Sequence, residues 1–352
     1  MTKNAYSRAN SETRVALVTG GAGFIGSHLV ERLLADGHTV RVLDNLVTGR
    51  LANIAHLKNN PRLSVHQAEV SDLGVIRYLF DGVHWVFHLA ALADIVPSIQ
   101  RPIDYHIANV DGTLATIEAA RLAGVQRLVY AASASCYGVP DEYPTPETAA
   151  IRPQYPYALT KYVGEQYALH WSQVYGVPTI SLRLFNVFGP RSRTSGTYGA
   201  VFGTFLAQKR AGKPFTVVGD GNQTRDFTFV TDVSDAFVRA AAADVTGESI
   251  NIGTGDPQSV NNLVALLGGE VVHVPKRPGE PDRTAADIRK AERLLGWTPA
   301  VTFQTGVKVL LDNIDYWRSA PVWTPEGISE ATKDWFAYLG PKESVGASEE
   351  RS

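Results

Sequence analysis

The chain has 352 residues, enough for one large domain or two modest ones around a well-buried core. With 33 basic and 35 acidic side chains the net charge is −2, which gives no basic field for DNA, RNA or an anionic membrane surface. The single cysteine, Cys136, excludes an intramolecular disulfide and a multi-cysteine metal site, and it fits a reducing cytoplasm. The polar start of the sequence has no apolar signal core, and the longest apolar runs are strand-sized rather than membrane-spanning. Residues 1–13 and 341–352 lack the apolar content to order themselves, so both are expected to be disordered.

The first half alternates short apolar runs with amphipathic stretches. The pattern predicts strands at Val15–Thr19, Thr39–Asp44, Leu63–Ala68, Trp85–Ala90, Arg127–Ala132 and Thr179–Arg183. Between them it predicts helices over Ser27–Asp36, Leu73–Phe80, Tyr105–Ala123 and Tyr157–Tyr175. Strands alternating with helices of this length imply an α/β fold, a doubly wound parallel sheet of Rossmann type. Phe188–Gly199 then breaks the rhythm as a long loop rich in Gly, Pro, Arg, Ser and Thr. Beyond it lie a helix at Ala200–Ala211 and a strand at Phe215–Val218. A strand at Ser249–Ile252, a helix near Val260–Leu267 and a strand at Val271–Val274 follow. The expected organisation is a dinucleotide-binding domain over 14–185, also receiving 226–255. A smaller α/β substrate lobe takes 186–225 and 256–340.

Gly20, Gly21, Gly23 and Gly26 stand directly between a strand and a helix. Glycines there permit positive φ and let the backbone approach a pyrophosphate, which the open helix N-terminus attracts. Asp44 ends the next strand, 18 residues after Gly26. A carboxylate at that place takes both ribose hydroxyls of NAD and repels the extra phosphate of NADP. Arg50 lies nearby, so NADP is disfavoured rather than excluded. The bland alternative is a tight turn followed by an Asp that caps a loop.

Tyr157 and Lys161 are one helical turn apart, on the same helix face. Tyrosine acts as a base near neutrality only if its pKa falls from about 10 to about 7, roughly 4 kcal/mol. A lysine charge about 5 Å away contributes on the order of 3 kcal/mol at an effective dielectric near 20. The pair can therefore supply most of that change, and a nicotinamide cation adds to it. By itself the spacing is a common helical accident.

Taken together, the motifs resemble those of an extended short-chain dehydrogenase/reductase, in the NAD-dependent sugar-nucleotide epimerase/dehydratase family. The resemblance covers roughly residues 14–318. It rests on Val18–Gly26, His88–Ala91, Asn109, Ser133–Gly138, the Tyr157/Lys161 pair, Arg183–Gly189, Gly219–Phe227 and Arg277–Glu280. It implies Tyr157 as general base, Lys161 on the nicotinamide ribose and Ser133 on the reacting sugar oxygen. It implies tightly bound NAD, contacted by Gly20, Gly23, Phe24, Ile25, Gly26, Asp44, Asn45, Glu69, Val70, Leu89, Ala90, Ala91, Asn109 and Ala131. For the nucleotide sugar it implies Ala93, Asp94, Ser135, Asn186, Arg193, Arg225, Arg277 and Glu280, with Phe215 and Val217 framing the base through their backbone. It also implies a homodimer through the Tyr105–Ala123 and Tyr157–Tyr175 helices.

The serine segment discriminates among reactions. Dehydratases of the family carry Asp-Glu directly after the Ser/Thr, and decarboxylases a Glu where Ser135 stands. Here Ala134 and Ser135 occupy those places, so the pattern resembles 4-epimerases of UDP-hexoses or UDP-N-acetylglucosamine. Thr284 occupies the position that selects for the C2 substituent, and a small residue leaves room for an N-acetyl group. A UDP-glucuronate 4-epimerase, a nicotinamide-dependent reductase or dehydrogenase, and a catalytically silent NAD-binding protein are the alternatives. Arg191 and Arg193 either meet an anionic substrate group or are solvated loop charges. His84 and His88 stand four apart on a strand and read as strand-end residues rather than metal ligands, and the remaining histidines form no metal-ligand spacing. Cys136 reads as a packing residue. The aromatic C-terminal stretch, including Trp335, is expected to pack on the small lobe or a neighbouring subunit, with no chemistry.

Overall fold

The structure is a computed structural model, and it describes residues 13–192 and 201–340. The terminal segments expected to be disordered lie outside the described residues, apart from Thr13. So does Arg193. The strands are β1 Val15–Thr19, β2 Thr39–Asp44, β3 Leu63–Gln67, β4 Trp85–His88, β5 Arg127–Ser133, β6 Thr179–Leu184 and β7 Asn186–Phe188. They continue with β8 Phe215–Val218, β9 Thr224–Arg225, β10 Phe227–Phe229, β11 Glu248–Ile252, β12 Gln258–Ser259 and β13 Val271–Val274. The helices are α1 Phe24–Ala35, α2 Leu73–Ile76, α3 Ile95–Gln100, α4 Pro102–His106, α5 Gly112–Leu122 and α6 Pro156–Tyr175. They continue with α7 Val201–Arg210, α8 Val230–Ala242, α9 Val260–Leu267, α10 Arg289–Leu295, α11 Phe303–Asp312 and α12 Pro325–Leu339.

A parallel seven-stranded sheet in the order β11-β6-β5-β4-β1-β2-β3 forms the centre. Its central strands β1, β4, β5 and β6 are almost wholly buried because both faces of the sheet are covered. On one face Leu29, Val30 and Leu33 of α1 and Phe237 of α8 pack against it. On the other, Ile117 and Ala120 of α5 and Ala168 of α6 do so. The strand order reverses between β1 and β4, which opens a crevice at their carboxyl ends. A second core joins Phe188, Phe202, Phe227, Phe229 and Phe303, with the Phe188 and Phe202 rings stacked 4.7 Å apart. It carries the short pairs β7–β10, β8–β13 and β9–β12.

Three departures from the sequence pattern shape the crevice. Helix α1 starts at Phe24, three residues before the expected Ser27, because Gly23 serves as an N-cap in extended conformation. β4 stops at His88, two residues early, and the chain leaves the sheet to become a wall of the crevice. The expected single helix over Tyr105–Ala123 is α4 and α5 joined by a π-helical turn, Ile107–Asp111. Asn109 sits in that turn with its carboxamide bound to both backbone groups of Leu92, a demand that competes with regular helix geometry.

Candidate active site

Two cavities meet at Ala93, and a third adjoins the second at Arg225, Glu280 and Pro281. The first lies over the β1–α1 turn. Gly20, Gly23, Phe24, Ile25, Gly26, Asp44, Asn45, Glu69, Val70, Leu89, Ala90, Ala91, Asp94 and Ala131 all line it. Its floor is closed to side chains. Gly20 has φ of 69°, and a Cβ there would lie 2.8 Å from the Ala90 nitrogen. A Cβ on Gly26 would lie 2.2 Å from the Gly20 carbonyl oxygen. Gly23 offers α1 no side-chain cap, and no acidic residue stands in the first turn. The leading N–H groups of the helix therefore face the cavity for an anion to take.

Asp44 is buried at the far end of this cavity. Its Oδ2 accepts from the Ala22 N–H at 3.0 Å and its Oδ1 from the Leu46 N–H at 2.8 Å. Each oxygen keeps a lone pair for a hydroxyl. Burial holds the carboxyl somewhat above its ordinary value, with the two N–H donors opposing. Asn45 donates to Glu69 at 2.7 Å, tying the second and third strand ends together. A glycine cradle without room for Cβ atoms, an open helix end and a fixed carboxylate fit a dinucleotide. Arg50 also lines this cavity, with its guanidinium carbon 5.1 Å from the Tyr316 ring centre. Arg191, weighed as a substrate contact, lines the same cavity and pairs with Glu31 at 2.7 Å. It belongs to the dinucleotide end, because Glu31 on α1 draws it there.

The second cavity holds Ser133, Ser135 and Tyr157, with Asn186, Thr284 and Trp335 opposite in the sequence. β5 delivers Ser133 at its carboxyl end, and the N-terminus of α6 delivers Tyr157. The Tyr157 phenol is hydrogen-bonded to Ser133, whose Oγ lies 2.8 Å from that of Ser135. Ser135 is in turn bonded to the buried Tyr155 phenol. Four hydroxyls are thus linked at the wall of the cavity. Arg183 on β6 is buried, pairs with Glu165 at 3.0 Å and donates to the hydroxyl of Tyr137, which also lines this cavity, at 2.9 Å.

Electrostatics here depart from the simple pair argument. Burial pushes the Tyr157 phenol above its ordinary value, partly offset by the Ser133 hydrogen bond, and Asp94 adds to the rise. Burial also pushes Lys161 down, to about 7, against the pull of Glu165. Desolvation opposes both charged forms, so the lysine alone does not set up a phenolate. Lys161 lines neither cavity; its ammonium lies 4.4 Å from the Tyr130 ring centre.

Other residues fall in varied places. Asn109 is wholly buried and also bonds Thr160 at 3.0 Å, so it holds the Leu92 wall instead of forming one. Phe215 and Val217 are core residues of β8; their neighbour Val218 lines the third cavity. Arg225 lines both outer cavities and pairs with Glu280 at 2.8 Å. Arg277 lines neither, but meets Glu280 at 3.7 Å and stacks on Trp335. Burial pushes the Cys136 thiol up to about 12, which leaves it an inert packing group. His88 is buried between Thr19 and Thr113, at 2.7 and 3.0 Å. Sequence reasoning overlooked Tyr155, Gln154 and Asp226. Asp226 accepts from Thr254, Gly255 and Ala286 and ties three distant segments together. Only the run of polar residues around it hinted at such a role.

Residues 16–253 match the model of the NAD dependent epimerase/dehydratase family. The chain belongs to that family. It is an enzyme of this class, and NAD is its cofactor. A UDP-glucose 4-epimerase of Mycolicibacterium smegmatis is 39% identical over 300 residues, covering 83% of this chain and 95% of the relative. Among solved structures, the UDP-glucose 4-epimerase of Thermotoga maritima with UDP-glucose is similar at TM-score 0.80 and 33% identity, over 87% of this chain and 99% of that one. The UDP-N-acetylglucosamine 4-epimerase of Methanobrevibacter ruminantium, in complex with UDP-N-acetylmuramic acid, is similar at TM-score 0.80 and 29% identity, over 86% and 99%. Among the described residues no helix is long and apolar enough to cross a membrane.

Proposed function

We propose that the protein inverts C4 of a UDP-hexose, with UDP-N-acetylhexosamines accepted as well. The observation that carries the reading is the hydroxyl pair Ser133–Tyr157, which lines a second, sugar-sized cavity that meets the dinucleotide cavity at Ala93. Ala134 and Ser135 stand beside it, so the serine segment offers no carboxylic acid for elimination. Glu280, the carboxylate lining the second cavity, is committed to Arg225 and Arg277.

Bound NAD supplies a reversible acceptor for the hydrogen on C4. Ser133 holds the 4-oxygen by a hydrogen bond. Tyr157 takes the hydroxyl proton at its phenolic oxygen and later returns it. Burial makes the phenolate costly, so the proton moves only once positive charge has gathered around the phenol. Lys161, poised at about 7, contributes that charge when protonated. The diphosphate is gripped at Arg225, whose guanidinium Glu280 holds in place, while the sugar is free to present either face. Thr284 is small and bonds Asn186 at 3.1 Å, leaving space at the C2 substituent. The proposal includes a homodimer built on α4, α5 and α6, where Ile103, Leu122 and Leu159 are exposed.

The test is incubation with UDP-glucose, UDP-N-acetylglucosamine, UDP-glucuronate and ADP- or CDP-linked sugars, with C4 inversion followed by proton NMR. Inversion of UDP-glucose or UDP-N-acetylglucosamine without net change in NAD is expected, with Tyr157→Phe slower by about 100-fold or more. If NAD-loaded protein leaves every UDP sugar unchanged, the reading fails.

A further inference from the structure

Helix α12 lies beyond the residues that match the family model, yet it reaches the sugar-sized cavity. Thr324 caps it, accepting from the Gly327 N–H at 3.2 Å, and Ile328, Thr332 and Trp335 form its buried face. Asp334 accepts from Gln100 on α3 at 2.7 Å, which fixes the helix beside the wall that follows β4. Trp335 is 4% exposed and lines the same cavity as Ser133 and Tyr157.

Three contacts set its indole. The Nε1–H donates to the Pro278 carbonyl at 2.8 Å. The Arg277 guanidinium lies 5.2 Å from the ring centre. The Tyr155 ring lies 6.3 Å away, and Tyr155 itself stacks on Tyr157 at 6.4 Å with the planes 6° apart. An aromatic series therefore runs from α12 to the reactive tyrosine. The indole does not line the outer cavity shaped by Gly219, Asn222 and Lys276. Its place is against the sugar rather than the far end of the nucleotide.

We infer that α12 is a wall of the sugar pocket and that Trp335 is a specificity-determining residue, packing its ring against the sugar of the nucleotide substrate. This rests on reading the cavity as the nucleotide-sugar site. Apolar C–H faces of a hexose suit an indole, and the Pro278 and Arg277 contacts hold that indole in one orientation. A helix serving stability alone would have no need of a side chain in the cavity.

The experiment compares NAD-loaded parent, Trp335→Ala and Trp335→Phe, measuring KM and kcat for UDP-N-acetylglucosamine or UDP-glucose. Calorimetry supplies the affinities of UDP-N-acetylglucosamine and of UDP alone. Trp335→Ala is expected to weaken UDP-N-acetylglucosamine about 10-fold and UDP less than about threefold, with NAD content unchanged. Trp335→Phe keeps an apolar ring and loses the Pro278 bond, so it should show about a threefold rise in KM; being conservative, it carries the test should the alanine variant fold poorly. Equal weakening of UDP and of UDP-N-acetylglucosamine, or unchanged values in both variants, overturns the role of Trp335. A parent that binds UDP-N-acetylglucosamine but inverts no sugar overturns the epimerase reading alone.

Discussion

Tyr157 and Lys161 face opposite consequences of the same burial. The phenol is held protonated and the amine is held near 7, against 10.5 when exposed. On unfolding, Lys161 regains its ordinary affinity for a proton. Between about pH 7 and pH 10 the unfolded chain then binds the extra proton, so stability rises with pH across that window. Below about pH 7 both states are protonated and the penalty is constant. Cofactor-stripped protein should therefore melt higher at pH 9 than at pH 7, and Lys161→Met should flatten that rise. Parallel melting curves for parent and variant would show that the lysine is not desolvated. The same balance explains why the spacing argument fell short: a one-turn separation states how close two groups are, whereas their affinity for protons depends on how much water both have lost.

At the scale of elements, the β1–α1 turn determines whether the first cavity exists. Gly26 is the tightest point, since a methyl group there meets the Gly20 carbonyl oxygen at 2.2 Å. Backbone cannot retreat as a side chain can, so Gly26→Ala should destabilise the protein by about 1–3 kcal/mol and strip NAD from the purified enzyme. Thermal melting and the NAD content of denatured protein read both effects. A variant with the parent's melting point and full NAD would remove the cradle from the account. The π turn at Asn109 is a related case, in which one side chain bends a helix to hold the opposite wall.

Over the whole molecule, Asp226 links the two cores. It sits between β9 and β10, bonds the chain just after β11, and reaches Ala286 before α10. Four short N–H and O–H donors converge on one buried carboxylate. Asp226→Asn places an NH₂ group against one pair of donors, which should cost about 2–4 kcal/mol of stability. Because the Thr284 hydroxyl accepts from the Asp226 N–H at 3.0 Å and lines the second cavity, the sugar side should loosen first. Denaturant melts and calorimetry with UDP check this, NAD content being retained. Loss of NAD with UDP affinity intact would reverse the assignment.

The sequence by itself determined the alternation of strands and helices, the glycine turn, Asp44 at the end of the second strand and the one-turn spacing of Tyr157 and Lys161. All of these are local: a period of two or 3.6, a turn that needs glycine, a four-residue spacing on one helix. It also carried the resemblance to the family that the chain proved to belong to. Only the tertiary structure decided that Arg191 turns toward the dinucleotide cavity, that Arg277 stacks on Trp335, and that a C-terminal helix brings Trp335 to the cavity of Ser133 and Tyr157. Trp335 and Tyr155 stand 180 positions apart in the chain, and no periodicity links residues so distant. The charge states of Tyr157 and Lys161 belong to the same class, because desolvation arises from everything packed around a group and not from its neighbours in sequence.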